Sequence, residues 1–151
     1  MNLQKQPNKW SCLPTAFAMA MDMPVSEVIK FIGHDGSEIL FPSHHDPYCR
    51  RSFHIQEMYD MCISNGIAVT PIELKPVGYV DIHTIEYIDL GGWPRFHKYL
   101  DTQIGVLTGV TVFDKPHAVA WDKQNVYDPN GSMYQLCSNF MPDMFYVCSK
   151  F

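Results

Sequence analysis

Apolar residues first repeat at helical spacing in the run that begins at Cys12. Leu13, Ala16, Phe17, Ala20 and Met21 take the i, i+3, i+4, i+7 and i+8 positions of one face. Ala18 and Met19 make the opposite face apolar too, so the spacing predicts a buried helix. Ser11 is placed to cap it, and Pro14 is compatible with a first turn, where amides lack partners. A second helix is predicted from Ser26 through Ile32, stopped by Gly33, and a third over Ser52 to Asn65 on the stripe Ile55, Met58, Tyr59, Cys62 and Ile63. Cys62 on that stripe reads as core. Ile67 to Leu74 is strand-like, with Pro71 marking an edge or a bend. A short helix is predicted over Pro94 to Leu100. The β-branched run Ile104 to Phe113 then predicts a buried strand leading to His117.

Beyond it the pattern is that of a hairpin. His117 opens the apolar arm Ala118 to Trp121, Asp122 to Asn125 is turn-rich, and Val126-Tyr127 starts an arm ending in Asp128-Pro129. Met144 to Cys148 is a last strand. Helices therefore precede strands, which predicts an α+β domain with helices packed on an antiparallel sheet, as one unit over residues 1–151. A cleft between a helical half and a sheet half is the expected place for chemistry.

Composition narrows the function. The chain is 46% hydrophobic and 18% charged, which argues against disorder. Its net charge is −5 and its longest basic run is Arg50-Arg51, so nucleic acid is excluded as a partner. No apolar stretch is long enough to span a bilayer, and no secretory signal core precedes Cys12. Five cysteines, an odd count, then point to free thiols in a reducing, cytoplasmic setting.

Three residue types carry the candidate chemistry. Cys12 projects from a helix start, where partial positive charge favours thiolate over thiol. His117 and Asp128 share the hairpin far along the chain. A thiol, an imidazole and a group that orients the imidazole are the parts of a nucleophilic site. A stretch with His44, His45, Asp46, Cys49 and His54 has none of the spacings that mark a metal site; it reads as a polar surface loop, for which substrate contact is a better functional reading than metal.

In that order, Gln6, then Cys12 at a helix start, then His117, Asp128 and Pro129, the chain resembles the papain-like cysteine peptidases, especially the bacteriocin-leader-processing peptidases and their single-domain relatives. The resemblance covers both ends of the chain and little of its middle. Leu13 stands where those relatives usually carry Gly, and the short interval from His117 to Asp128 implies a tight hairpin. What the resemblance implies is a papain-like fold and hydrolysis of a peptide or isopeptide bond. Cys12 would be the nucleophile, His117 the base and acid, Asp128 the orienting group and Gln6 an oxyanion donor, with no metal or organic cofactor. The expected partner is a peptide or protein substrate. The same set serves acyl transfer, as in transglutaminases, and a catalytically silent binding module is a third reading.

Overall fold

The structure is a computed structural model that describes residues 1–39, 51–74, 78–89, 92–136 and 139–151. The expected loop of His44, His45, Asp46 and Cys49 lies outside these, as does Cys137. The elements run α1 (Cys12–Met21), α2 (Val25–Ile32), α3 (Ile55–Ser64), β1 (Ile67–Glu73), β2 (Gly78–Asp81), β3 (Glu86–Asp89), α4 (Gly92–Thr102), β4 (Gly105–Thr111), β5 (Pro116–Trp121), β6 (Val126–Asp128), β7 (Ser132–Tyr134) and β8 (Phe140–Lys150). The fold is α+β. Six strands form one antiparallel sheet in the order β1-β8-β4-β5-β6-β7, and β2 and β3 form a separate hairpin.

Pleat alternation along the sheet builds a core on each side of it. Val106 of β4 and Ala118 of β5 face Ala16, Phe17, Met58 and Met61 of the first three helices. Their neighbours Leu107 and Val119 join Trp121, Phe145 and Val147 on the other face, against Phe96 and Leu100 of α4. The indole of Trp121 donates to the Leu100 carbonyl at 2.9 Å, tying α4 down. Cys62 is fully buried, as its place on the α3 stripe predicts.

Several boundaries differ from those predicted, each for a local reason. Ser11 does stand at the N-cap of α1, but its hydroxyl makes no capping bond; it donates to the Asn8 carbonyl at 3.0 Å instead. Helix α2 starts one residue earlier than Ser26. In α3 the cap is His54, whose ring accepts from the amide of Gln56 while Glu57 accepts from the His54 amide, so the helix starts after Ser52. Strand β1 is an edge strand, where Pro71 is tolerated. Helix α4 is longer than Pro94 to Leu100.

The largest difference is β8, which begins at Phe140 rather than Met144 and inserts between β1 and β4. Pro142 hides this in the sequence, because a proline cannot donate to a ladder. It is accommodated because β1 pairs with Met144 to Lys150, so among the described residues Pro142 has β4 on one side and no strand on the other. Opposite it the register shifts between Thr108 and Gly109. A Cβ at Gly109 would lie 2.0 Å from the Met141 carbonyl oxygen, so only glycine fits there.

Candidate active site

The segment before α1 is folded on itself around Asn8. The Asn8 side chain accepts from the Trp10 amide at 3.0 Å and donates to the Asp35 carbonyl at 2.9 Å. Its carbonyl accepts from the buried Ser11 hydroxyl and, at 2.9 Å, from the side-chain amide of Gln6. This packed turn delivers the chain into α1 with Cys12 as its first residue, half-buried, over a helix of which most residues are buried. The first amides of such a helix have no acceptor within it.

His117 and Asp128 stand on the adjacent antiparallel strands β5 and β6, and His117 Nε2 lies 2.9 Å from Asp128 Oδ1. A three-residue loop, Pro129-Asn130-Gly131, returns β6 into β7, with Gly131 at φ 96° as such loops require. That loop also fixes the carboxylate. The Asn130 amide donates to Asp128 Oδ1 at 2.9 Å, and the Tyr134 hydroxyl donates to Oδ2 at 2.7 Å. The N-terminal segment is joined to the same loop: Lys5 bridges to Asn130, and the Gln6 amide donates to the Pro129 carbonyl at 2.7 Å. Gln6 is thereby carried beside Asp128.

The side chain of Asp128 is 5% exposed and that of His117 is 18% exposed. Burial pushes the Asp128 carboxyl up, but the bonds from His117, Asn130 and Tyr134 outweigh it and hold it below the usual carboxylate range. Burial likewise works against charge on His117. Its hydrogen bond to Asp128 and the influence of the nearby Cys12 sulfur prevail and raise it from 6.5 to about 9. Since Nε2 is engaged by Asp128, Nδ1 is the nitrogen left for Cys12. Phe140 sets its ring edge-on to the imidazole, with centroids 6.2 Å apart.

A cleft of about 790 Å³ runs past His117, Asp128 and Gln6, between the N-terminal segment, the β4–β5 turn and the β6–β7 hairpin. Its walls differ from the expected helical and sheet halves, and Cys12 is not among the residues that line it. Leu13 is absent from the lining as well; it packs against the α1–α3 core.

The four sequence-derived residues thus gather at one place. His117 is hydrogen-bonded to Asp128 and lies close enough to Cys12 for the sulfur to favour the charged ring, and Gln6 is adjacent with one of its two side-chain N–H groups given to Asn8. Tyr134 was not foreseen. Its only sequence signal is an aromatic residue six positions beyond an Asp, across a Pro-Asn-Gly turn.

Among the described residues no group of three or more His, Cys, Asp or Glu side chains could hold a metal ion, and no helix is long and apolar enough to cross a membrane. The chain matches no family model, no curated protein and no solved structure.

Proposed function

We propose that this protein is a cysteine peptidase of the papain-like kind, working in a reducing compartment such as the cytoplasm. The observation that carries the reading is the His117–Asp128 hydrogen bond on two paired strands, with the Cys12 sulfur at a helix start acting on the same imidazole. A histidine between a thiol and a carboxylate can move a proton on one nitrogen while the other is held in place.

In this reading the Cys12 sulfur attacks the scissile carbonyl, and its proton resides on His117 Nδ1. The carbonyl oxygen becomes an oxyanion, which the Cys12 backbone amide and the second N–H of the Gln6 side chain would receive. Removing one such donor costs about 2.7–4 kcal/mol of transition-state stabilisation. Collapse breaks the C–N bond, His117 protonates the departing amine, and a thioester remains on Cys12. Water, deprotonated by His117, then hydrolyses the thioester and restores the thiol. Asp128 holds the ring and balances its charge throughout, and Tyr134 holds Asp128.

The test is to treat the protein with a library of peptides bearing a carbonyl electrophile and to map the adducts by mass spectrometry. Adducts on Cys12 that depend on peptide sequence and vanish in His117→Ala are the expected result. Absence of adducts on Cys12, or equal adducts on the denatured chain, would remove the reading.

A further inference from the structure

The cleft beside His117 is lined by several positively charged side chains. Lys5, Lys9 and Lys115 all border it, three of the eleven Lys and Arg residues in a chain of net charge −5. Among the described residues that line it, Asp128 is the sole carboxylate, and its oxygens are committed to His117, Asn130 and Tyr134. The three lysines come from two walls of the cleft, Lys5 and Lys9 from the N-terminal segment and Lys115 from the β4–β5 turn. Lys5 stands on the segment that bridges to Asn130, Lys9 beside Trp10, whose ring lies 4.8 Å from its ammonium, and Lys115 at the end of the β4–β5 turn.

That turn supplies a second, apolar feature. Val112 and Phe113 line the cleft yet are 62% and 80% exposed. A phenylalanine held in water at the tip of a tight hairpin has no packing role in the fold, and it precedes Lys115 by two positions, with Asp114 between them. Positive charge in a concave, partly apolar surface concentrates anionic ligands there and discriminates against cationic ones.

We propose that the cleft takes an anionic peptide, with Asp or Glu side chains set against Lys5, Lys9 and Lys115 and an apolar side chain against Phe113. The proposal names the substrate class for the peptidase reading and rests on it. The overall negative charge, with three basic side chains among the described residues of the cleft, favours a peptide over a nucleic acid, whose phosphates call for a longer basic stripe.

Binding is measured on the Cys12→Ala protein, so that no turnover is needed. The probes are a rhodamine-labelled peptide alternating Glu with Leu, its Gln counterpart, its Lys counterpart and a labelled single-stranded oligonucleotide. Polarisation titrations at low salt are expected to show the Glu peptide binding about tenfold more tightly than the Gln peptide, three exposed charge pairs supplying the difference. The gap should narrow in high salt. It should disappear in Lys5→Gln/Lys9→Gln/Lys115→Gln and persist in Lys30→Gln/Lys98→Gln/Lys150→Gln, which removes the same charge from outside the cleft.

Equal binding of the Glu and Gln peptides, a gap that survives the cleft variant, or tighter binding of the oligonucleotide would overturn the proposal. Initial rates of the wild-type protein on the same peptides separate this from the reading beneath it. Cleavage without acidic preference removes the anionic-substrate proposal alone. Tight binding of the Glu peptide with no cleavage of any peptide removes the peptidase reading and leaves the cleft's preference standing.

Discussion

Two pairs of imidazole and carboxylate can be compared among the described residues: His117 with Asp128 and His34 with Glu57. The pairs differ in what occupies the other ring nitrogen. His34 Nδ1 accepts from the Gly36 amide at 3.1 Å, and its ring stacks on Phe53 with centroids 4.7 Å apart. Both nitrogens and one face are thus spent on holding the loop after α2 onto the start of α3. His117 has the thiol of Cys12 at its second position. An imidazole paired with a carboxylate is therefore not in itself a reactive arrangement. What distinguishes the two is a nitrogen left for something other than backbone.

The sharpest way to break that comparison is to remove each histidine and measure turnover of a cleaved peptide. Cys12→Ala and His117→Ala should each lower kcat by about 10³-fold or more, with the double variant scarcely worse, because residues acting as one unit are grossly non-additive. His34→Gln should keep turnover and lower Tm instead. Turnover surviving Cys12→Ala, or lost equally in His34→Gln, would erase the distinction.

Thiol labelling compares the same two regions without a substrate. Timed iodoacetamide reaction with peptide mapping should modify Cys12 first, at least tenfold faster than Cys62 or Cys148, since the thiolate is the reacting form and needs access. Cys62 is fully buried, and the Cys148 thiol is pushed up by its neighbour Cys62 and by burial. Faster labelling of either in folded protein would contradict the assignment of Cys12.

Asp128→Asn and Tyr134→Phe probe the support of the imidazole. The amide of Asp128→Asn can still accept from His117, so its loss of kcat should be smaller than that of His117→Ala. Tyr134→Phe removes one hydrogen bond to a charged group, worth about 1.5–3 kcal/mol at most, and should act through His117. A shift of the pH profile of kcat, with KM unchanged, is the sign of positioning; a fall in Tm alone would make Tyr134 merely structural.

The smallest expected effect is on stability. His117 titrates higher folded than unfolded, at about 9 against 6.5. Its contribution is complete below the unfolded value and is lost as pH rises through about 9. The Tm difference between wild type and His117→Gln should therefore shrink from pH 6 to pH 9.5. A difference that grows over that interval would mean that the ring is held neutral.

How much of this was legible beforehand follows from the range of the forces involved. The α1 helix could be read because Leu13, Ala16, Phe17, Ala20 and Met21 repeat along a single element, whereas Pro71 left β1 open between an edge and a bend, of which the sheet order gives the edge. His117 and Asp128 could be paired because a short hairpin leaves little choice of register. Tyr134 could not, since β7 is three residues long and its hydroxyl reaches Asp128 only once the Pro129-Asn130-Gly131 loop has formed. Nor could the direction of the Gln6 amide, which Asn8 sets through a turn with no apolar period. The first four residues of β8 were concealed by Pro142, whose acceptability depends on where β1 stops.

The position of β8 has a consequence for how the chain comes into being. Strand β8, which joins β1 to the rest of the sheet and packs residues on both of its faces, follows the other strands of the sheet in the chain. As the polypeptide emerges during synthesis, β1 has no partner to receive it, and the surfaces awaiting Phe145 and Val147 on one face and Tyr146 on the other stay open to water. Sheet closure must then follow the addition of Lys150, and a nascent chain ending before Phe140 would hold the sequence of the site without the scaffold that assembles it.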